Sequence, residues 1–336
     1  MKKTVKICVI LTALWMISGI STAYAGENSQ RVILGGQPFG VKFYNDGVMV
    51  VELEDYFDGA RYVCPAKEGG LQVNDVIKKV NGTAIHTNEE LQTASAGCGG
   101  KAIQLLIERS GKELYKEVKP KKNTAGSYLL GAWVRDSCAG IGTMTYYDKE
   151  HDYFAALGHG ICDNDTGALM PLGSAEIVGA NISSVTKSSA GKAGSLNGYF
   201  TDKTLGKLTD NTGNGIFGTI EEQTEMDGQE VEIADVDEIR VGKAQLLTSV
   251  DGDTPRCYEM EITSIRNRNP QNNENFVIKI TDERLFAECG GIVQGMSGSP
   301  IVQNNKLVGA VTHVLLNNTQ EGYGVAAQFM VDSRNS

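Results

Sequence analysis

The sequence predicts a mainly β protein with two domains. Its 336 residues exceed the usual size of a single domain. Its 40 glycines separate many short runs rich in Val, Ile, Thr and Tyr, which is typical of all-β folds. Charged residues make up 21% and apolar residues 41% of the chain, as in globular proteins. The net charge of −10 argues against a nucleic-acid partner, because phosphate binding requires a basic face.

Residues 1–25 are predicted to be a signal peptide or an N-terminal anchor. Lys2, Lys3 and Lys6 precede an apolar run, and Ala23–Ala25 has the small-residue pattern of a cleavage site. The apolar run is short for a membrane span, which favours cleavage over a retained anchor. Both alternatives place the body of the protein outside the cytoplasm.

Six cysteines follow this segment, and they raise the question of a disulfide framework. The body of the chain is large enough to fold on its own core, and no two of these cysteines form a C-x-x-C pair. We therefore expect free, mostly buried thiols rather than disulfides. We also expect no metal site and no cofactor.

Residues 31–120 are predicted to form a small α+β domain that resembles a PDZ domain. The signature G-L-x-x-x-D-x-I-x-x-V-N-G runs from Gly70 to Gly82, and a helical pattern follows at 88–95. The resemblance implies a groove in which a peptide adds a strand beside a carboxylate-binding loop. That loop departs from the usual Gly-Leu-Gly-Phe type, which leaves capture of a terminal carboxylate open. The residues assigned to it are Gly36, Gln37, Pro38, Phe39 and Gly40.

Residues 121–127 are polar and turn-rich, and they are predicted to be a linker. Residues 128–336 then contain short β-like runs separated by Gly and Asn turns, which is typical of a closed or sandwiched β fold. The Ser-, Gly- and Lys-rich stretch 183–197 is predicted to be a loop.

The motif Gly-Met-Ser-Gly-Ser-Pro at 295–300 points to chemistry. A glycine two positions before Ser297 lets a carbonyl approach the main chain, so that the N–H groups of Gly295 and Ser297 can bind one oxygen. His159, which lies between two glycines, is the candidate base that a serine nucleophile needs. The motif therefore predicts a serine peptidase, and the spacing to Gly295 favours Ser297 over Ser299 as its nucleophile.

Longer runs of sequence carry a more specific resemblance. W-V-R-D-S begins at Trp133, A-L-G-H-G-I at Ala156, G-I-V-Q-G-M-S-G-S-P at Gly291 and G-A-V-T-H-V at Gly309. With the preceding PDZ-like unit, the chain resembles the stage IV sporulation protein B family of exported serine peptidases from endospore-forming bacteria. The resemblance implies a PDZ-like domain followed by a trypsin-like, Greek-key β-barrel peptidase domain at 128–336.

The same resemblance assigns the catalytic residues. It implies that Ser297 is the nucleophile, His159 the base and Asp282 the acid that holds the histidine tautomer and stabilises the imidazolium. The chain order His, Asp, Ser matches that of chymotrypsin-like enzymes. Their spacing does not match, because it would place the acid nearer the histidine, at Asp202. Asp282 is preferred here, and Asp202 is the second candidate.

The resemblance also implies a biological role. Family members cleave themselves and a membrane-bound regulator of an intramembrane protease, in the space between forespore and mother cell, and a mother-cell sigma factor is thereby activated. The expected partners are a membrane-associated protein substrate, the chain itself and a PDZ ligand peptide. Two alternatives are a PDZ adaptor fused to a pseudoenzyme β domain and an envelope stress protease of general substrate range. The presence of both His159 and Ser297 argues against the adaptor.

Overall fold

The computed structural model describes residues 30–221 and 227–334. The predicted export segment 1–25 lies outside the described residues. Within the described ranges, no helix has the length and apolar character needed to cross a membrane. From residue 31 onward the chain packs as one unit, and most of it is β-strand.

The first ten strands lie before residue 130. They are β1 (Arg31–Leu34), β2 (Pro38–Leu53), β3 (Tyr56–Phe57), β4 (Tyr62–Val63), β5 (Val76–Val80), β6 (Thr83–Ala84), β7 (Ile103–Arg109), β8 (Lys112–Val118), β9 (Lys121–Lys122) and β10 (Tyr128–Leu129).

The later strands form most of the predicted peptidase domain. They are β11 (Ala132–Asp148), β12 (Tyr153–Ala156), β13 (Leu172–Thr186), β14 (Gly194–Thr212), β15 (Gly215–Ile220), β16 (Glu230–Ile233), β17 (Gly242–Thr248), β18 (Arg256–Ile265), β19 (Phe276–Ile280), β20 (Val293–Gln294), β21 (Pro300–Gln303), β22 (Lys306–Val314) and β23 (Glu321–Ala326).

The helices are few and short. They are α1 (Pro65–Glu68), α2 (Asn88–Gly97), α3 (Glu283–Cys289), α4 (Ala327–Arg334) and a 3₁₀ turn at Val236–Glu238. Helix α2 begins with a capping box, in which Thr87 accepts from the Glu90 N–H and the Glu90 carboxylate accepts from the Thr87 N–H.

Two closed antiparallel barrels account for most of these strands. In the first barrel, β2 pairs with β11, β11 with β12, β12 with β15, β15 with β14, β14 with β13, and β13 returns to β2. In the second barrel, β17 pairs with β18, β18 with β19, β19 with β23, β23 with β22, β22 with β21, and β21 returns to β17. Closure leaves neither barrel with an open edge.

Each barrel has its own apolar filling. Phe39, Phe43, Met144 and Phe154 are fully buried in the core of the first barrel. A second cluster fills the other barrel, and its fully buried members include Leu246, Ile262, Ile278 and Ile301. A third cluster forms the core of the PDZ-like unit, and its fully buried members include Val48, Ile77, Ile103 and Leu105.

The structure corrects the position assigned to the carboxylate-binding loop. Residues Gly36, Gln37, Pro38, Phe39 and Gly40 belong to the first barrel and not to the PDZ-like unit. Strand β2 pairs Gly40 with Ile141 on one side and with Val178 on the other. Phe39 is fully buried. Because the main chain is paired and the side chains fill a core, this segment has no groove for a peptide.

Three predicted boundaries change for related reasons. Strand β1 and the first half of β2 pair with peptidase strands, so the PDZ-like unit does not begin at residue 31. The predicted linker 121–127 is part of a hairpin that pairs β9 with β10. The predicted loop 183–197 contains the paired ends of β13 and β14, where Val185 faces Leu196.

All six cysteines after the export segment are free thiols. The expectation that most of them are buried holds only in part: Cys64 and Cys289 are buried, Cys98 and Cys138 are half-buried, and Cys162 and Cys257 are exposed.

Candidate active site

Ser297 lies in a tight glycine loop between β20 and β21. Gly295 has a φ of +99° and Gly298 a φ of +92°, a region that side chains with a Cβ rarely adopt. A Cβ on Gly298 would also lie 2.5 Å from the Leu157 nitrogen. Met296 is fully buried and anchors the loop in the core, whereas Ser297 remains half-buried. The loop therefore leaves the Ser297 side chain partly accessible while the residues beside it are fixed by packing.

Strand β11 holds this loop by hydrogen bonds to three of its carbonyls. Thr143 Oγ1 donates to the Gly295 carbonyl at 2.7 Å, and the Thr143 N–H donates to the Ser297 carbonyl at 3.0 Å. Thr145 Oγ1 donates to the Gly298 carbonyl at 2.8 Å, and this bond is buried. These three bonds, to the carbonyls of Gly295, Ser297 and Gly298, fix the direction of the loop's backbone.

His159 follows strand β12 after a strained turn. Leu157 and Gly158 both have left-handed backbones, with φ of +67° and +68°. A buried leucine in that conformation stores strain that the surrounding packing must offset. A Cβ on Gly158 would lie 3.1 Å from Thr312 Cγ2, so the chain before His159 lies directly against strand β22.

Strand β22 brings the serine and the histidine to one place. Ser297 Oγ donates to the Thr312 carbonyl at 2.8 Å. The next residue, His313, stacks on His159 with ring centroids 5.0 Å apart and an interplanar angle of 29°. The predicted base and the predicted nucleophile thus contact adjacent residues of one strand.

The ring nitrogens of His159 have distinct roles. Nδ1 lies 2.8 Å from the Gly160 carbonyl, which can only accept, so Nδ1 carries the proton. Nε2 is therefore the unprotonated nitrogen, as a general base requires. Burial lowers the pKa of His159 to about 4, while the Gly160 carbonyl opposes this shift and the charge of His313 adds to it. The imidazole is neutral at physiological pH.

Asn211 supports the segment that follows His159. Its Oδ1 accepts from the Ile161 N–H at 2.8 Å, and its Nδ2 donates to the carbonyls of Ile161 and Met170. An amide that both donates and accepts ties the two sides of this loop together. The loop carries the Gly160 carbonyl that fixes the histidine tautomer.

Arg135 also supports this loop, from strand β11. Its guanidinium forms ion pairs with Asp163 and Asp165, and the Asp163 side chain is fully buried. Burial alone would raise the pKa of Asp163, but hydrogen bonds from Thr166 and Asp165 and the charge of Arg135 lower it below its ordinary value. Asp163 Oδ1 accepts from two backbone N–H groups of its own turn.

The structure does not bring Asp282 to His159. Asp282 caps helix α3, accepting from the Arg284 N–H at 2.9 Å, and also accepts from the Glu259 N–H at 3.2 Å. The Arg284 guanidinium binds the same carboxylate at 2.7 Å and holds the pKa of Asp282 well below its usual range. These partners occupy both carboxylate oxygens, so in this structure the residue caps a helix.

Asp202 is not part of the site either. It lies on strand β14 and is exposed to solvent. Of the sequence-predicted residues, the structure brings together Gly295, Ser297 and His159 and leaves both acid candidates elsewhere. Among the described residues, no group of His, Cys, Asp or Glu is arranged to hold a metal ion.

Sequence reasoning missed the residues that position the site. Thr143 and Thr145 carry a signal in retrospect, because two threonines alternate on one face of a strand beside glycines. Asn211 carried none because its partner Ile161 is 50 residues away, and the Gly160 carbonyl carried none because it is a main-chain group that every residue has.

Two closed barrels with a serine and a histidine at one strand define this chain as a trypsin-like serine peptidase. The chain belongs to the SpoIVB peptidase S55 family, whose match spans residues 126–331, more than half of the chain. A PDZ domain matches residues 63–109, which excludes the segment around residues 36–40.

Other relatives match smaller parts of the chain. A putative zinc metalloprotease of Clostridium perfringens is 34% identical over 67 residues, covering 20% of each protein. One of Lactococcus lactis is 40% identical over 67 residues, covering 20% of this chain and 15% of the relative. The chain thus matches a fifth or less of these relatives' length.

Solved structures with similar folds include two proteases. The active form of the Rv3671c protease from M. tuberculosis is 13% identical, with a TM-score of 0.35, covering 58% of this chain and 72% of that one. The HtrA-type protease AlgW with a tripeptide is 13% identical, with a TM-score of 0.34, covering 59% and 56%.

Replacing Thr145 with valine tests the hold of β11 on the loop. Thr145→Val keeps the shape but leaves the buried Gly298 carbonyl without its donor, at a cost of about 1–3 kcal/mol. We expect fluorophosphonate labelling of Ser297 to slow about tenfold, since 1.4 kcal/mol is a factor of ten. Thr263→Val, at an exposed position of β18, is the matched control. Equal labelling rates in both variants would contradict this role.

Replacing Asp282 with asparagine separates capping from catalysis. If the carboxylate only caps α3 and pairs with Arg284, Asp282→Asn lowers the melting temperature and leaves fluorophosphonate labelling within about tenfold of wild type. Arg284→Met should reproduce this result, because it removes the same ion pair. A loss of about ten-thousandfold in Asp282→Asn alone would show that this carboxylate acts on His159.

Proposed function

We propose that this serine peptidase is an exported endopeptidase of sporulation signalling that cleaves itself and a membrane-bound regulator of an intramembrane protease. Cleavage of that regulator would activate a mother-cell sigma factor. Membership of the SpoIVB peptidase family supports this role. The space between forespore and mother cell is the proposed location, with residues 1–25 as the export segment.

The observation that carries the catalytic proposal is the meeting of Ser297 and His159 at Thr312 and His313. In the proposed reaction the Ser297 hydroxyl turns from the Thr312 carbonyl toward His159 Nε2, which takes its proton as Oγ attacks the substrate carbonyl. The N–H groups of Gly295 and Ser297 would bind the resulting oxyanion. His159 then protonates the leaving amine, and water hydrolyses the acyl-enzyme.

The Gly160 carbonyl is proposed to take the place that the aspartate carboxylate has in a catalytic triad. A carboxylate on Nδ1 would fix the tautomer and stabilise the imidazolium by charge. A carbonyl fixes the tautomer but supplies only its dipole, consistent with a pKa of His159 of about 4. The imidazole of His159 is thus unprotonated and able to accept a proton near neutral pH. Its low pKa also makes it a weaker base toward the serine proton in the transition state.

A groove in the PDZ-like unit is the proposed site for peptide recognition. A cavity of about 360 Å³ lies between helix α2 and the segment 128–134. Strand β11 pairs with β2 through one edge of Ala132–Arg135. No strand within the described ranges pairs with the other edge, so a peptide can add there as a further strand. Leu91, Leu130 and Trp133 give the groove apolar walls.

Replacing Ser297 with alanine tests the peptidase and its self-cleavage. Purified wild-type chain should shorten over time, as followed by intact mass and N-terminal sequencing, whereas Ser297→Ala should persist, with turnover down by about a millionfold. In a spore-forming bacterium that lacks its own family member, the wild-type chain should restore sigma-factor activation and Ser297→Ala should not.

The two readouts have separate meanings. Unchanged shortening of purified Ser297→Ala would refute the nucleophile. Wild-type peptidase activity without restored sigma-factor activation would refute the signalling role and leave the peptidase intact.

Removing the exposed aromatic of the groove tests peptide recognition. Trp133 is 59% exposed and its Nε1 donates to Glu54. With tagged Ser297→Ala chain as the protein substrate, Trp133→Ala should slow cleavage about tenfold, the effect of losing roughly 1.4 kcal/mol of contact. Labelling by a small fluorophosphonate should not change. Tyr115→Ala removes a similarly exposed aromatic outside the groove, and an equal slowing in both variants would refute the proposed site.

A further inference from the structure

His313 contacts the candidate base but takes no part in the proposed reaction. It lies on β22 directly after Thr312, the residue that binds Ser297 Oγ. Its ring packs on His159 at 5.0 Å and nearly parallel, at 29°. Its side chain makes no hydrogen bond to any residue in the described part of the chain, so stacking is its defining contact.

His159 needs such a contact because its polar support is weak. One hydrogen bond from Nδ1 to the Gly160 carbonyl selects the tautomer. A single bond to the adjacent residue leaves the imidazole free to tilt about that bond, since no second polar partner among the residues that the structure describes fixes its plane. In a triad the carboxylate supplies this restraint, and here the Asp282 carboxylate is held by Arg284 and Glu259.

We infer that His313 is a positioning residue for the catalytic base, whose flat ring holds the His159 imidazole in the plane that directs Nε2 at Ser297. The inference rests on the proposed function, in which His159 accepts the proton of Ser297. His313 itself need not touch the reacting atoms, because the ring acts through its face.

Ring stacking also has an electrostatic consequence. His159 gains a positive charge each time it accepts the serine proton, so a charged neighbour at 5.0 Å would oppose the reaction. His313 is the titratable group whose charge acts on His159, and no carboxylate or cation within the described ranges shifts the pKa of His313. Partial desolvation lowers the pKa of His313 and so favours its neutral form, which does not repel a charged His159.

Three substitutions separate a flat ring from other roles. His313→Phe keeps a flat ring without a charge, His313→Leu fills the space without a flat face, and His313→Ala removes the cover. The matched control is His86→Ala, which changes an exposed histidine of the PDZ-like unit. The measurement is the rate of fluorophosphonate labelling of the full-length protein from pH 4 to 8, with melting temperatures to verify folding.

We expect His313→Ala and His313→Leu to label about a hundredfold more slowly at neutral pH, the loss that misplacing a catalytic group by about 1 Å causes. His313→Phe should recover most of the wild-type rate. In His313→Ala, water reaches His159 and reduces the desolvation that lowers its pKa, so the pKa of His159 rises. The acid limb of its labelling profile should therefore move to higher pH.

Three outcomes overturn the inference. One is a wild-type rate and profile in His313→Ala. Another is a rate in His313→Phe as low as in His313→Ala, which would show that an imidazole nitrogen matters instead of the ring face. The third is slowing in His86→Ala equal to that in His313→Ala. Failure of the proposed function is distinguishable, because then the wild-type protein itself would show no labelling that depends on Ser297.

Discussion

The hydrogen bonds from strand β11 to the nucleophile loop are the interaction on which the site depends. The Gly295 and Gly298 backbones lie in the left-handed region, so local preference does not hold the loop in shape. Thr143 and Thr145 hold the loop by donating hydrogen bonds to its carbonyl oxygens. These residues belong to one strand of 17 residues that begins at the proposed peptide groove. One strand therefore runs from the proposed peptide groove to the nucleophile loop.

The same strand reaches the other half of the site through Arg135. Its guanidinium pairs with the buried Asp163 in the loop after His159, and Asn211 ties that loop from strand β14. The loop supplies the Gly160 carbonyl that selects the tautomer of the base. In the proposed mechanism the Gly160 dipole and ring packing orient the base, whereas a triad carboxylate would also stabilise the imidazolium by its charge. A neutral, desolvated base avoids the cost of keeping a charge inside the protein.

The features that the sequence predicted correctly are those that a short local pattern of residues determines. The 295–300 motif located the serine, glycines located His159, and the PDZ signature located its unit. Pairing partners far along the chain decided the rest. Phe39 alternates with other apolar residues as in any strand, so only tertiary pairing shows that its segment belongs to the barrel. Likewise, the two ends of the polar 183–197 stretch are strand because β13 and β14 pair there, which overrides their weak β propensity. Asp282 precedes a helix whose first turn it caps, which spacing in the chain does not reveal.

A crystal structure of the Ser297 phosphonyl adduct tests the central claim most directly, because the adduct resembles the tetrahedral intermediate. We expect a phosphonyl oxygen within hydrogen-bond distance of the Gly295 and Ser297 N–H groups. We also expect the His159 Nδ1 to stay on the Gly160 carbonyl and Asp282 to stay on Arg284. A carboxylate bonded to His159 Nδ1 in that adduct would contradict the proposed mechanism.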